Sequence, residues 1–292
     1  VSTAPRLSIV IPTYDTAAMT LRCCRAALAS VPVSSEVIVA DDGSRDGTAE
    51  LLAREAPEVR VVRLDSNRGF AAAANRGVDA ARGEIVLLLN SDAIVDGGAL
   101  RALLAAFDAD ARLGVAGASL VNDDGTLQWS GGRTPTLPWM IGVVSGAGRL
   151  ARLFRWRGAA RREVDWVSGA AMAFRAEVWR ECGPLDERFL FYCQDLDFCL
   201  RARKAGWNIR VVDDAHVVHA LGGTVAGGTS LRHDPERLWS DLVDWGARFY
   251  GPRWAARARA VLVAVAWVRI PFSGSDRAAL KRAVRRLAQR SS

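Results

Sequence analysis

Leu7-Ser8-Ile9-Val10-Ile11-Pro12-Thr13-Tyr14-Asp15 opens the chain with a branched apolar run that breaks abruptly into polar residues. The same form returns at Ile85-Val86-Leu87-Leu88-Leu89-Asn90-Ser91-Asp92. Shorter runs at Glu36–Ala40 and Val59–Leu64 read as strands between them, bounded by turn residues. Segments rich in Ala, Leu and Arg at helical period separate these runs, across Ala17–Ser30, Thr48–Glu55, Phe70–Ala81 and Gly98–Phe107. Strand and helix in regular alternation predict an α/β fold around a mostly parallel, Rossmann-like sheet. Thr48 is expected to cap its helix through the side-chain oxygen.

Further along, Leu113–Leu120 reads as a strand followed by a turn at Asn122-Asp123-Asp124-Gly125. From Gly131 to Gly158 the periodicity fails, and a loop or interfacial segment is expected there. Regularity returns at Val164–Phe174, with a helix at Ala176–Cys182, a compact acidic stretch at Asp186–Asp197 and a strand at Asn208–Val212. From Pro235 onward the chain reads as a helical extension rich in Arg, Ala and Trp.

With 292 residues, half of them hydrophobic, the chain can bury one large core with a modest appendage. The net charge of +7 is concentrated in Arg149–Arg162 and Arg253–Arg290, which points to an anionic partner. Nothing there interleaves aromatic and basic residues on a recognisable nucleic-acid module, so a nucleic acid is not the expected partner. Five cysteines without a CxxC pair fit reduced thiols and a cytoplasmic setting, and no secretory leader is legible before Leu7. The apolar stretch Val261–Val268 falls short of the roughly 20 residues a membrane span needs. It is expected to lie on a membrane, peripherally at its inner face, rather than cross it.

Open parallel sheets bind ligands beyond the carboxyl ends of their strands. Four strands end there in polar clusters: Pro12-Thr13-Tyr14-Asp15, Asp41-Asp42-Gly43-Ser44, Asp65-Ser66-Asn67-Arg68-Gly69-Phe70 and Asn90-Ser91-Asp92. One cluster is an ordinary turn; four on one edge favour a polar ligand. No GxGxxG follows the first strand and no GxxxxGK[ST] occurs, so a phosphate held here is not cradled by a glycine loop. A divalent cation on carboxylates is the usual substitute.

Seven segments, IVIPTYD, VIVADDGSRDGT, NRGFAAAANRG, GEIVLLLNSDA, WVSGAAMAFR, LDERFLFYCQDLDFCLR and DAHVVH, occur in order from about Ser8 to Thr224. Together they resemble the family 2 glycosyltransferases of the GT-A fold, particularly bacterial rhamnosyltransferase-like members. The resemblance implies a catalytic domain over residues 1–234, with a nucleotide-binding half to about 122 and an acceptor-binding half beyond it. Residues 235–292 lie outside it.

What the resemblance implies for the site can be stated residue by residue. Asp42, with Asp41 as the alternative, would accept the imide N–H of uracil or thymine, framed by Pro12 and Tyr14. Asn67, Gly69 and Asn75 would line the ribose and diphosphate of a UDP- or dTDP-sugar. Asn90-Ser91-Asp92 stands where the family carries a DxD-type motif, with asparagine first. Asp92 would bind Mg²⁺ or Mn²⁺, Ser91 would sit on the donor side, and His219 rather than His216 would complete the metal shell. Asp195 of Gln194-Asp195-Leu196-Asp197 would take the proton of the acceptor hydroxyl, with inversion at the sugar carbon. Trp166 and Gly169 would face the sugar and acceptor, as would Gln194, where the family carries glutamate. Asp197 would pair with Arg201, a helical turn away.

The activity implied is transfer of a sugar, rhamnose foremost, to a saccharide or polyprenyl-diphosphate-linked acceptor in bacterial envelope or polysaccharide assembly. Asn90 and Gln194 leave open a second reading, a nucleotide-sugar-binding protein without turnover.

Overall fold

The computed structural model describes residues 4–31, 34–145, 162–189, 192–220 and 235–289. These residues form two compact units, one of residues 1–133, 159–188 and 194–224, the other of residues 134–158, 189–193 and 225–292.

The first unit is built on strands β1 (Leu7–Thr13), β2 (Ser35–Asp41), β3 (Arg60–Arg63), β4 (Ile85–Leu89), β5 (Ala93–Ile94), β6 (Leu113–Val121), β7 (Gly131–Gly132), β8 (Arg162–Glu163), β9 (Trp166–Val167), β10 (Ala171–Arg175) and β11 (Asn208–His219). Its helices are α1 (Ala17–Ser30), α2 (Thr48–Glu55), α3 (Phe70–Ala80), α4 (Gly97–Ala109), α6 (Ala176–Cys182) and α7 (Gln194–Lys204); the intervening α5 (Leu137–Val144) belongs to the second unit. The main sheet runs β3-β2-β1-β4-β10-β6-β11-β5, with β8 also paired to β11. Strands β3, β2, β1 and β4 are mutually parallel, as are β6 and β11, while β10 lies antiparallel between β4 and β6.

The central strands are apolar because helices cover both faces. In β4, Ile85, Leu87 and Leu89 point into one core with Leu100, Leu103 and Phe107 of α4. Val86 and Leu88 point into the other, with Val78 of α3 and Phe198 of α7. Pro12 can stand inside β1 because the pairing of β1 with β4 ends at Val10, so its missing N–H breaks no bond on that side.

The structure departs from the expectations at four places. Thr48 does not cap α2: Gly47 stands at the cap without a side-chain bond, and the Thr48 amide and hydroxyl both donate to Asp46. Its other oxygen accepts from the Ala17 amide at the start of α1. Within the stretch read as a loop from Gly131, β7 and α5 are regular; residues 146–161, including most of Arg149–Arg162, lie outside the described residues. The stretch Val164–Phe174 is two strands, β9 and β10, joined by a turn. Finally, β11 does not stop at Val212: pairing with β6 jumps from Val212↔Ala118 to His216↔Ser119, bulging out residues 213–215, then runs on to His219.

In the second unit, α8 (Pro235–Tyr250), α9 (Pro252–Arg269) and α10 (Arg277–Gln289) pack on one another. Trp239, Trp245, Leu262 and Leu280 are buried there, and Glu236 pairs with Arg282 and Arg286.

Gly43 shows how tightly the sheet edge is closed. It has φ +77, and an added Cβ would lie 2.8 Å from the Ser66 Cα. Gly43→Ala is expected to cost about 1–3 kcal/mol, the range for a side chain forced into such a conformation, read as a lower urea midpoint with unchanged slope.

Candidate active site

The loops that follow β1, β2 and β3 are tied into one edge by their own acids. Asp42 accepts from the Arg68 and Gly69 amides at 2.8 and 2.7 Å, and its own amide donates to the Thr13 carbonyl. Burial raises the Asp42 pKa, against the pull of those two amides. The Asp15 amide donates to Ser44 and the Asp15 carboxylate accepts from Arg45, closing the first loop on the second. Asn67 and Tyr14 are exposed along this edge, and Pro12 is buried beneath it.

Two expected donor contacts have other work. Asp41 is fully enclosed, where it accepts from the Ser44 amide and faces Arg63 at 3.5 Å, so it holds the turn; Asp42 is nearly as deeply buried. Asn75 is buried on α3, with its oxygen accepting from the Leu185 amide and its nitrogen donating to the Leu185 carbonyl and Glu187. Its amide clamps the segment before α7 to α3.

After β4 the chain turns through Asn90-Ser91-Asp92, closed by the Ala93 amide on the Asn90 carbonyl. Ser91 lies 3.4 Å from the Thr16 hydroxyl, at the first loop. The bulged end of β11 returns here: His219 pairs with Ala93, and the Ala220 amide donates to the Asp92 carbonyl. His219 Nε2 therefore stands 3.3 Å from Asp92 Oδ1 and 3.4 Å from Asn90 Nδ2, while His216 is exposed.

Gln128, which no sequence motif marks, fixes that imidazole. Its nitrogen donates to the His219 carbonyl at 2.6 Å and to Asn122 at 2.9 Å, so its oxygen faces His219 Nδ1 at 3.0 Å. An amide oxygen can only accept. Nδ1 is therefore the ring nitrogen that donates to Gln128, and Nε2 is the one that faces Asp92. One carboxylate and one neutral imidazole nitrogen suit Mg²⁺ or Mn²⁺. Among the described residues no group of three potential metal ligands converges. A bound ion would take its remaining oxygens from substrate and water.

Asp195 reaches the same edge from the other side. Its Oδ2 accepts from the Gly169 amide and its Oδ1 from the Leu196 amide, each at 2.8 Å. The Ala170 carbonyl next to that glycine accepts from the Asn90 amide. The carboxylate and the Asn90-Ser91-Asp92 turn are thus joined through two consecutive residues of one strand entry. Asp195 keeps part of its surface open, yet desolvation of its carboxyl group raises its pKa, with the two amides opposing. An added Cβ at Gly169 would lie 3.6 Å from Asp195 Oδ2, so the missing side chain leaves the carboxylate uncovered. Gln194 is buried beside it. Asp197 pairs with Arg201 at 2.8 Å.

Trp166 donates its indole N–H to the Arg133 carbonyl and meets Trp129 edge-on, with centroids 5.0 Å apart. Trp129 is half exposed and was not singled out in the sequence, where nothing marks it apart from the other tryptophans.

A family model described as glycosyl transferase family 2 matches residues 8–169, more than half of the chain. The chain belongs to this family. It is a glycosyltransferase. An N-acetylglucosaminyl-diphospho-decaprenol L-rhamnosyltransferase of Mycobacterium tuberculosis is 29% identical over 287 residues, 87% of this chain and 91% of that one. A succinoglycan biosynthesis protein of Rhizobium meliloti is 38% identical over 123 residues, 41% of this chain and 35% of its own. Among solved structures, a mannosyltransferase from Pyrobaculum calidifontis in complex with GDP-Man and Mn²⁺ shares the fold. Its TM-score is 0.59 at 20% identity, over 99% of this chain and 75% of that one.

Gln128→Leu should release the imidazole of His219. Long-range ¹⁵N–¹H spectra of the metal-free protein, which has three histidines, are expected to show the Nδ1–H tautomer in the wild type and its loss in the variant. Mn²⁺ affinity with a nucleoside diphosphate present should fall by about 10- to 100-fold, the usual cost of losing such a partner. Gln128→Glu, which still accepts from Nδ1, should restore the tautomer.

Proposed function

We propose that this glycosyltransferase is metal-dependent and inverting, and that it moves rhamnose from dTDP-rhamnose, or a related sugar from a UDP or dTDP donor, to a hydroxyl of a lipid-linked saccharide. The observation that carries this reading is the link between Asp195 and the Asn90-Ser91-Asp92 turn through Gly169 and Ala170. It holds a base and a candidate metal ligand at one sheet edge. The relative from Mycobacterium tuberculosis, named for a rhamnosyl transfer to N-acetylglucosaminyl-diphospho-decaprenol, supports the choice of donor and acceptor. The acceptor would carry a polyprenyl diphosphate, which places the work at the cytoplasmic face of a membrane in envelope assembly.

Asp42 holds the donor loop through the Arg68 and Gly69 amides, which leaves Asn67 and Gly69 to meet the ribose and diphosphate. Asp42 would offer a remaining lone pair to the imide N–H of the base, with Tyr14 exposed at the same edge. Asp92 and His219 would hold Mg²⁺ or Mn²⁺, which neutralises charge on the leaving diphosphate. Ser91 lies on the donor side of that turn. Asp195 accepts the proton of the acceptor hydroxyl as its oxygen bonds to the anomeric carbon and the bond to the diphosphate breaks. The nucleoside diphosphate departs on the opposite face, so the configuration inverts. Trp166, Gly169 and Gln194 would form the acceptor wall, with Trp129 extending the aromatic surface.

Asp195→Asn should lower transfer by 10²- to 10⁴-fold, the range for a lost general base, with donor affinity by calorimetry unchanged. Because the pKa of Asp195 is raised, the base is protonated at a higher pH than an ordinary carboxylate. Wild-type kcat should therefore rise with pH through a limb above the usual carboxylate range, absent from the residual rate of the variant. Chelation should stop transfer, and fresh Mn²⁺ should restore it. A product that retains the donor's anomeric configuration, or transfer indifferent to chelator, would contradict the mechanism.

A further inference from the structure

The second unit carries a surface that the transfer reaction does not use. Helix α9 buries Ala255, Ala258, Leu262 and Ala266, one edge at helical spacing. Its outward edge continues with Ala260, Ala264, Trp267 and Val268, none charged, and Phe272 follows one turn later. Trp267 is 57% exposed, Val268 72% and Phe272 86%. Two opposite apolar edges are unusual for a helix with one side in water. No described helix is long and apolar enough to cross a membrane.

The chain around this tip is strongly cationic. Residues 251–292 contain ten Arg and Lys against one acid, Asp276, which is buried. The Arg277 guanidinium bonds the Pro271 carbonyl at 3.0 Å, placing a cation next to Phe272. Lys281 and Arg285 follow at helical spacing on the exposed side of α10. Arg282 and Arg286 face Glu236 instead.

We propose that Trp267, Val268 and Phe272 insert into the headgroup region of an anionic lipid surface, with Arg277, Lys281 and Arg285 against its phosphates. An aromatic and aliphatic tip followed by a row of exposed cations at helical spacing is the pattern of an interfacial anchor. A second copy of the chain is the poorer occupant, because it would bring two cationic arrays together. A nucleic acid would satisfy the cations and leave Val268 and Phe272 in water. The inference stands on this unit's own surface and needs neither donor nor acceptor, so its failure would leave the proposed transfer untouched.

Sedimentation of the full chain with vesicles tests it, using phosphatidylcholine alone and phosphatidylcholine mixed with phosphatidylglycerol. The wild type should partition onto the mixed vesicles and only weakly onto the neutral ones. Val268→Ser with Phe272→Ser should lower partition at least tenfold with no change in thermal midpoint, since both side chains are exposed. Lys281→Ala and Arg285→Ala should each lower it about fivefold, the value of one interfacial cation. The proposal is overturned if the wild type binds neither vesicle or both equally, or if the serine pair binds as the wild type does. It is equally overturned if light scattering shows that the serine pair splits an oligomer, or if duplex DNA binds tighter than the vesicles and the serine pair leaves that binding unchanged.

Discussion

One strand laid the wrong way round organises the active edge. Because β10 runs antiparallel between β4 and β6, its entry at Gly169-Ala170 meets the exit of β4 at Asn90. A parallel strand would begin at the far end of the sheet. The backbone of two residues can therefore donate one hydrogen bond to Asp195 and accept another from the turn that carries Asp92. Buried strand pairing fixes both positions.

The acids beside β1, β2 and β3 have a related task. Asp15, Asp41, Asp42 and Asp46 each accept from backbone amides of a neighbouring turn or helix. A carboxylate that receives such bonds orders a loop rich in glycine and serine, which would otherwise retain much of its conformational freedom. The stretch Ala40-Asp41-Asp42-Gly43-Ser44-Arg45-Asp46-Gly47-Thr48 thus acts as a joint between three strands and two helices. Only part of it is left to meet a ligand.

Much of this was legible in the residues, and the failures have physical causes. Helices α1, α2 and α6 begin and end where their period does, and the apolar run of β4 announces itself. Helix α5 escaped because Leu137-Pro138-Trp139-Met140-Ile141-Gly142-Val143-Val144 is apolar all round and so carries no period. The end of β11 escaped because Asp213 and Asp214 break its alternation at the bulge. The clamping bonds of Asn75 were not legible because an amide that clamps a backbone looks, in sequence, like one that binds a ligand. Thr48 was misread for a similar reason, since a threonine that donates to an acid looks, in sequence, like one that caps a helix. Gln128 lies in a polar turn with no motif of its own, and only its two bonds to His219 reveal its task.

The bulge in β11 has a further meaning. Strand residues face opposite sides in turn, so a shift of one residue would carry His219 to the other face of the sheet. The three residues set aside at 213–215 decide which side it takes. Their number matters more than their identity. A histidine's suitability for a metal is here a question of counting along the chain: adding or removing one residue before His216 would disarm the pair with Asp92 while leaving both side chains in the sequence.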